Sequence, residues 1–463
     1  MKLNSSPEPV FNSEGVKVSP IEPVDELRRT VMACMLWESG FYESGEAVAD
    51  RLKRLVPLCN PHDVAEIAIE AREQQRLRHA PLLLVRELAR DSKRCADGLI
   101  ANTLCRVIQR ADELAEFLAM YWADGRQPLA KQVKKGLAGA FGKFNEYELA
   151  KYNRNASVKL RDVLFMVHAK PANDEQAALW KRLVEGKLAE PDTWEVALSS
   201  GANKRETFER LLRDGKLGYL ALLRNLRNMQ QAGVDPSLVF DALLAGAAKS
   251  KALPFRYVAA ARAVPAWEPK IDEAMQLALG SLDKLPGTTA VLIDTSPSMR
   301  VPLSSKSDLT RMDAAFALAI LLRGICADAR VFAFSNTTAE VPARSGMALA
   351  DAIRQAVPSS GTLLGRAVAH VAKAVKNADR LIVFTDEESQ DVVPAPHCKG
   401  YMVNVATTKN GVGYGDWTSI SGFSEAVVQY IAASERLNHP NGMDIKGTSN
   451  NRLRSWVDRL TRA

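Results

Sequence analysis

The feature that most constrains the fold is an abrupt change of hydrophobic pattern at Leu285-Pro286-Gly287. Before it, from Val24 to about Leu282, apolar residues recur at three- and four-residue spacing, which is typical of amphipathic helices. After it, short and nearly continuous apolar runs alternate with helical patterns. Because that alternation is typical of parallel sheets covered by helices, the sequence predicts two structural classes in one chain.

The first part of the chain is predicted to be an array of short helices. Breaks at residues 57–61 and 123–125 separate them, and no strict sequence period relates one to the next. The pattern predicts an irregular α-solenoid of HEAT type, whose concave face suits extended ligands. The predicted helices are Glu26–Trp37, Gly45–Leu58, Pro61–Gln75, Pro81–Ala89, Ala96–Ile108, Lys131–Phe141, Ala177–Glu185, Gly218–Met229 and Ser237–Ala247.

The second part is predicted to be a doubly wound, parallel-sheet α/β domain. Its predicted strands are Ala290–Ile293, Arg330–Phe334, Arg380–Thr385 and Gly400–Ala406, and its predicted helices are Arg311–Cys326 and Leu363–Lys376. The fold class expected is therefore α followed by α/β. We expect a flexible N-terminal arm over residues 1–20, a helical domain over 21–284 and an α/β domain over 285–463.

Composition excludes several classes of protein. No stretch is apolar for long enough to cross a bilayer, and residues 1–20 lack the apolar block of a signal peptide. The six cysteines form no CxxC pair and the six histidines are scattered, so neither a disulfide framework nor a zinc site is indicated. We expect a monomeric cytoplasmic protein with reduced cysteines and without a membrane or DNA partner.

Positive charge is concentrated in the helical part. Residues 126–187 carry a net charge of +7 and residues 202–262 a net charge of +6, whereas residues 1–125 carry −4. A polyanionic partner such as RNA explains such a distribution. A solvated helical face explains it equally well, so charge alone does not decide between the two.

The most specific chemistry lies in loops that follow predicted strands. Asp294, Ser296 and Ser298 come directly after the strand Ala290–Ile293 and offer a carboxylate and two hydroxyls at alternate positions. Asp386 follows Arg380–Thr385 in the same way. In open α/β sheets such loops meet beyond the carboxyl ends of the strands, so we expect both carboxylates to face one crevice.

Thr362, in a turn after Ser359-Ser360-Gly361, is placed to add a hydroxyl to the same crevice. The five oxygen donors suit a hard divalent cation, with Mg²⁺ expected. The polar residues of the first loop could simply cap a helix. Capping would not explain why the Thr362 turn and the loop at Asp386 also bring oxygen donors to the same crevice. Two carboxylates without a nearby base favour binding over catalysis. The adjacent Glu387 and Glu388 are interpreted as solvated charges.

This pattern resembles the metal-ion-dependent adhesion site of von Willebrand factor A domains: D-x-S-x-S, a distant Thr after Gly, then Asp at a strand end. The five positions correspond to Asp294, Ser296, Ser298, Thr362 and Asp386. The resemblance implies that the cation keeps a coordination position for an acidic group of a partner.

The helical part resembles the TROVE module of the Ro 60 kDa autoantigen family. The order of the helical module followed by an A domain is also the family's, and we expect a bacterial or phage-borne Ro homologue. The matching segments are LRRTVMACMLWE (27–38), FYE (41–43), Gly45, IEAR (69–72), LRHAPLLL (77–84), FNEYELAKY (144–152), VHAKP (167–171), LRNL (223–226) and LPFRY (253–257).

The Ro resemblance implies a closed ring of helical repeats with a basic inner surface. Single-stranded 3′ ends of misfolded or structured RNA would enter the ring, and Y RNA would bind its outer face. Lys151 and His168 match positions that the family uses for RNA contacts, whereas Arg154 is only the neighbour of Asn155, where the family has arginine. The further expected RNA contacts are Lys134, Lys135 and Lys170.

Three functions remain open. The leading hypothesis is a non-catalytic ribonucleoprotein scaffold that binds misfolded or structured noncoding RNA, such as a Y-like RNA, and tethers an exoribonuclease through it. The second is a metal-dependent protein-interaction module, in which the A domain captures an acidic partner and RNA is not the main ligand. The third, a metal-dependent nuclease, is the least favoured because such enzymes use more carboxylates.

Overall fold

The computed structural model describes residues 22–32, 45–73, 77–153, 158–199, 201–250, 252–282, 284–303, 309–406 and 415–421, with short segments at 10–11, 15, 17–20, 412–413, 431 and 435. The described chain forms two compact units. The helical unit comprises the described residues within 22–37 and 45–199. The C-terminal unit comprises those within 200–463 together with the first strands.

The helical unit consists of α-helices joined by short turns. The prediction of helices in this part of the chain is confirmed, and residues 33–37 and 74–75 of the predicted helices lie outside the described residues. The helices are α1 (Pro23–Met32), α2 (Gly45–Leu55), α3 (Pro61–Glu73), α4 (His79–Arg90), α5 (Leu99–Val107), α6 (Asp112–Tyr121), α7 (Lys131–Phe141), α8 (Glu146–Tyr152), α9 (Leu160–Val167), α10 (Asp174–Glu185) and α11 (Trp194–Ser199).

Successive helices stack in two rows around one apolar core. Helices α3, α5, α7 and α9 contact one another in order, and α2, α4 and α6 form the second row. A buried ion pair joins the rows, because Arg72 of α3 donates to both carboxylate oxygens of Glu113 of α6, at 2.7 and 2.9 Å. Stacking of neighbouring helix pairs is the packing expected of an α-solenoid.

The C-terminal unit combines further helices with two sheets. Its helices are α12 (Lys204–Arg213), α13 (Tyr219–Gln231), α14 (Pro236–Ala247), α15 (Pro254–Ala263), α16 (Glu268–Gly280), α17 (Arg311–Ile325), α18 (Met347–Ala356) and α19 (Leu364–Ala374). Its strands are β1 (Val10–Phe11), β2 (Lys17–Pro20), β3 (Leu285–Asp294), β4 (Cys326–Phe334), β5 (Thr338–Glu340), β6 (Arg380–Thr385), β7 (Lys399–Asn404), β8 (Val412–Gly413) and β9 (Thr418–Ser421).

The larger sheet has the strand order β5-β4-β3-β6-β7-β9, and only β5 runs antiparallel to its neighbour. Residues of α19 share one apolar cluster with alternate residues of β3, β4, β6 and β7. Helix α17 also contacts β3 and β4, and the remaining residues of β3 near its end are buried. Helices therefore cover both faces, and the predicted doubly wound α/β fold is confirmed.

The last helices before the sheet pack against it. Arg262 of α15 forms an ion pair of 2.5 Å with Asp313 of α17, and Asp272 of α16 accepts a 2.9 Å hydrogen bond from the backbone of Met347 in α18. The prediction drew the domain boundary between residues 284 and 285. Helix gives way to strand there, but the compact unit that contains the sheet begins at residue 200.

Part of the predicted N-terminal arm forms regular structure. Strands β1, β2 and β8 make a small antiparallel sheet, with Ser19 opposite Gly413. The other residues of the predicted arm, apart from Gly15, lie outside the described part of the chain. Within that described part, no helix is both long and apolar enough to cross a membrane.

Candidate functional site

The candidate metal site lies where parallel strands of the larger sheet end. Strand β3 pairs with β6 in a register that places Ile293 opposite Phe384, so the loops after both strands leave the sheet at one edge. The register brings Asp294 beside Thr385, whose hydroxyl donates a 2.7 Å hydrogen bond to Asp294 Oδ2. Asp386 follows directly, as the sequence predicts.

The first loop is held in shape by its own polar groups. The Ser296 backbone N–H donates to Asp294 Oδ1 at 2.8 Å, and the hydroxyls of Ser296 and Ser298 lie 3.2 Å apart. Pro297 begins a 3₁₀ turn that carries Ser298 and ends at Arg300. The loop thus gathers three of the predicted ligands, Asp294, Ser296 and Ser298.

Hydrogen bonds fasten the Thr362 turn to this edge. The Ser359 hydroxyl donates to the backbone carbonyl of Thr295 at 2.6 Å. Two hydrogen bonds join Thr362 to Gln390. The Gln390 backbone N–H donates to the Thr362 carbonyl at 2.9 Å, and the Thr362 backbone N–H donates to Gln390 Oε1 at 3.2 Å. Thr362 is buried beside the loop that continues from Asp386.

Electrostatics at this edge favour a cation. Asp294 and Asp386 are both fully buried. Burial, and then the neighbouring Asp386 carboxylate, raise the pKa of Asp294, because two like charges in a dry environment oppose each other. Arg311 Nη1 lies 3.7 Å from Asp386 Oδ2 and supplies one positive charge.

The donor set fits a hard divalent cation. The five predicted ligands, Asp294, Ser296, Ser298, Thr362 and Asp386, offer only carboxylate and hydroxyl oxygens, which Mg²⁺ prefers. A bound cation would neutralise two buried carboxylates whose burial is otherwise unfavourable. Among the described residues no group of three or more His, Cys, Asp or Glu side chains is arranged to hold a metal ion, so this site depends on its hydroxyls.

The interpretation of Glu387 and Glu388 as solvated charges is wrong. Both are buried, and Glu387 adopts a left-handed backbone with φ of 63°. Asn404, at the end of β7, donates a 3.0 Å hydrogen bond to Glu387 Oε2, and the Glu387 N–H donates to the Thr385 hydroxyl at 3.1 Å. The turn after β6 therefore folds inwards, which adjacency in the sequence does not reveal.

The candidate RNA surface begins at α8. Asn145 caps this helix in a capping box with Glu148, which sets the orientation of the helix and of Lys151 in its last turn. The Lys151 ammonium lies 5.7 Å from the ring centre of Tyr147 and 5.9 Å from that of Tyr152. Tyr147 is 50% exposed, so it does not serve helix packing alone.

A second group of residues lies on α9 and at its end. His168, just after the helix, is exposed and has a left-handed backbone with φ of 54°. Phe165, three residues earlier, is 59% exposed, and Arg161 is exposed four residues before that. Arg161 and Phe165 are four residues apart and share one face of the helix, and His168 follows where the helix ends. The alternative interpretation of His168 as a half-buried packing residue is therefore wrong.

The other predicted RNA contacts are distributed around these two groups. Lys134 is half-buried and Lys135 exposed on α7, and Lys170 is exposed just after His168. Among the described ion pairs, none involves Lys134, Lys135, Lys151 or Lys170. Arg154 lies outside the described residues, so its predicted contact stays a prediction.

Two residues at these sites were missed from the sequence. Phe165 stands in an apolar run of α9, where periodicity does not show which side chain faces outwards. Arg311 offered a signal, because an arginine in the first turn of a helix opposes the helix dipole. Such a residue needs a tertiary partner, and Asp386 provides it.

Comparison with known proteins finds similarity over part of the chain and in the fold. A family model described as the TROVE domain matches residues 171–279. Mouse telomerase protein component 1 is 26% identical over 232 residues, which are 47% of this chain and 8% of that protein. The rat protein of the same name is 43% identical over 49 residues, or 11% of this chain and 2% of that protein. The chain thus spans less than a tenth of these curated relatives.

The crystal structure of the Deinococcus radiodurans Ro (RSR) protein has a similar fold. The match has a TM-score of 0.63 and 19% sequence identity, and it covers 90% of this chain and 100% of that chain. At this identity the likeness concerns the fold. The chain is therefore similar to TROVE-domain proteins over residues 171–279 and to the Ro protein in fold.

Proposed function

We propose that this protein is a Ro-type RNA-binding scaffold whose helical unit binds unpaired segments of structured or misfolded noncoding RNA. The observation that carries the proposal is a set of lysines without an ion-pair partner among the described residues, in the helical unit that also carries exposed aromatic side chains. The lysines are Lys134, Lys135, Lys151 and Lys170, and the aromatic side chains are Tyr147, Phe165 and His168.

The chemistry of this surface suits single-stranded RNA. Lysines bind phosphates without regard to sequence, and exposed rings stack on bases that are not already paired. Most other basic side chains on neighbouring helices are neutralised; Arg182, for example, forms a 2.7 Å ion pair with Glu146. The unpaired lysines thus provide the free positive charge that a phosphate backbone needs.

The finer proposal concerns the kind of RNA and its use. We propose that a Y-like RNA is among the ligands and that it tethers an exoribonuclease in RNA quality control. The TROVE match and the similarity in fold to a Ro protein support this proposal. We propose further that the protein is a monomeric, cytoplasmic and non-enzymatic component of such a particle.

Charge reversal tests RNA binding. We expect Lys151→Glu and Lys134→Glu each to weaken binding of a fluorescent single-stranded RNA, measured by anisotropy over a range of salt concentrations. Each lost phosphate contact should reduce the slope of log affinity against log salt by about 1. The matched control is Lys181→Glu on α10, because Lys181 is already within 3.9 Å of Glu185.

Two outcomes would contradict RNA binding. One is tight binding that does not change with salt. The other is an equal loss in the Lys181→Glu control, which would mean that any change of net charge weakens binding and that the surface on α7 and α8 is not the site.

A second function is supported by the loops at the end of the sheet. We propose that Asp294, Ser296, Ser298, Thr362 and Asp386 hold a divalent cation, and that this cation captures an acidic side chain of a protein partner. When bound, the cation would supply a Lewis-acidic position for that carboxylate. The five residues of this chain would hold the cation in place and exclude water from the side of the cation that faces the protein.

Thermal unfolding with Mg²⁺ and Mn²⁺ tests the cation site. We expect the melting temperature of the wild-type protein to rise with metal concentration, because a ligand that binds only the folded state stabilises it. Asp294→Ala should abolish the rise. Absence of a rise in the wild-type protein at millimolar concentrations of both metals would exclude the site.

A further inference from the structure

A buried arginine stands beside the candidate cation site and is not one of its ligands. Arg311 is the first residue of α17, and its side chain is 3% exposed. Its Nη1 atom lies 3.7 Å from Oδ2 of Asp386, whose side chain is fully buried. A fixed positive charge therefore sits at close range to one of the two carboxylates that would bind the cation.

Local helix chemistry does not account for this arginine. Thr310 caps α17 in a capping box with Asp313, so the helix end is already satisfied. A positive side chain in the first turn opposes the positive end of the helix dipole. The position of Arg311 is thus locally unfavourable, and its tertiary contact with Asp386 has to offset that cost.

The backbone holds Arg311 close to the metal loop. The Arg311 N–H donates a 3.0 Å hydrogen bond to the carbonyl of Val301, which follows the turn that carries Ser298. Pro302 and Thr310 form an antiparallel bridge next to it. These backbone contacts therefore hold the start of α17, and with it Arg311, next to the loop that carries Asp294, Ser296 and Ser298.

Its charge has opposite effects on the two states of the site. Without a cation, Asp294 and Asp386 are buried like charges, and a neighbouring guanidinium offsets part of their repulsion. When a divalent cation binds, the same guanidinium repels it across a short distance in a poorly screened environment.

We infer that Arg311 is a resident counter-ion of the cation site, which stabilises the cation-free fold and lowers the affinity of the site for divalent metal. This inference rests on the proposed cation site and adds to it a residue that regulates occupancy. It assigns to Arg311 a role through Asp386 and not a bond to the metal.

Arg311→Met tests the inference, with the metal alone as the probe. Isothermal titration of the full chain with Mg²⁺ and with Mn²⁺ should give an affinity at least about tenfold higher than that of the wild-type protein, because one repulsive charge is removed. In EDTA the variant should melt at a lower temperature than the wild type, and metal should raise its melting temperature by more.

Three further variants make the test specific. Arg311→Gln removes the charge but keeps hydrogen-bonding groups, and it should show the same gain in affinity if Arg311→Met does not fold. Arg311→Lys keeps the charge and should bind metal within about threefold of the wild type. Arg262→Met breaks a different ion pair of α17, with Asp313, and should lose stability without a gain in metal affinity.

The outcomes separate the inference from the proposal on which it rests. Folded Arg311→Met or Arg311→Gln with unchanged or weaker metal affinity overturns the role of Arg311 while the cation site stands. An equal gain in Arg262→Met also overturns it, because the gain would then follow from general loosening. If neither metal binds the wild type or any Arg311 variant, the cation site itself is overturned, and the inference with it.

Discussion

At the scale of single residues, the candidate sites stand out where side chains depart from local preference. His168 and Glu387 are the non-glycine residues with left-handed backbone among those described, and Arg311 lies at the wrong end of a helix for its charge. Each departure costs free energy, so it persists only where the surrounding structure requires it. All three lie beside residues that the sequence independently indicates.

The sequence could predict ligands but not burial at this scale. The oxygen donors of the Asp294 loop could be predicted from the sequence, because their residue types and spacing are sufficient to indicate them. Glu387 looks like an ordinary surface acid in sequence, because the bond from Asn404 that buries it comes from another strand. Phe165 similarly is a residue type expected in the core, yet its side chain is exposed.

Truncation of Phe165 tests whether α9 stacks RNA bases. We expect Phe165→Ala and His168→Ala each to weaken binding of single-stranded RNA by about 1–3 kcal/mol, roughly five- to 150-fold, because each removes a stacking surface. Fluorescence anisotropy at several salt concentrations should show a lower affinity with the same salt dependence. A loss that instead changes the salt slope would indicate phosphate contact and not stacking.

The control for this experiment is another exposed apolar residue of the helical unit. Leu58 is 67% exposed and lies after α2. Leu58→Ala should leave RNA binding unchanged. If it weakens binding as much as Phe165→Ala, exposed apolar surface in general, and not α9, explains the effect.

At the scale of elements, periodicity predicts helices well because each carries its own apolar face. Helix α7 has the predicted bounds, Lys131–Phe141. Strand β5 and strand β9 were not predicted, since each is only a few residues long and depends on pairing with β4 or β7 for its structure. The helices can thus be predicted from their own residues, whereas the short edge strands form only by pairing with a neighbouring strand.

A glycine determines how closely α5 and α7 approach. A Cβ atom on Gly136 would lie 2.9 Å from the backbone carbonyl oxygen of Ala101 and 2.9 Å from Leu104 Cβ. We expect Gly136→Ala to lower the free energy of unfolding by about 1–3 kcal/mol, because the helices would have to move apart. Urea denaturation followed by circular dichroism measures the change.

Gly139 on the same helix is the matched control. It is exposed, and an added Cβ atom would lie 3.4 Å from Cys105 Sγ and 4.0 Å from Cys105 Cβ, which are ordinary contact distances. Gly139→Ala should be neutral or stabilise the protein slightly, since alanine is the better helix former. A similar loss of stability in both variants would contradict the close-packing explanation for Gly136.

At the scale of the whole molecule, the sequence predicted the order of structural classes but not the grouping of helices. The change of pattern near Pro286 marks the start of the sheet. It does not reveal that α15 and α16 pack on α17, because contacts between distant segments leave no periodic trace. The Arg262–Asp313 ion pair is one such contact, between residues 51 positions apart.

The pH dependence of global stability should report on the buried carboxylates. Burial and Asp386 raise the pKa of Asp294 to about 7 in the folded protein, while the unfolded chain has the ordinary value near 3.9. The folded state therefore binds the proton more tightly. In the metal-free protein, Asp294 therefore contributes fully to the free energy of unfolding below about pH 4. This contribution is lost as the pH rises through about 7.

Asp294→Asn isolates this contribution, because asparagine does not ionise. In EDTA, urea denaturation between pH 4 and 8 should show the wild type losing stability relative to the variant as pH rises. Mg²⁺ should reverse the difference at pH 8, since only the wild type offers the carboxylate. Curves that stay parallel across this range would mean that Asp294 keeps an ordinary pKa.

The packing of α15 and α16 on α17 limits how the chain can be divided. A fragment that began at Leu285, the start of β3, would lose α15 and α16, and with them the ion pair between Arg262 and Asp313 of α17. A fragment for crystallisation or domain exchange should therefore begin near residue 200.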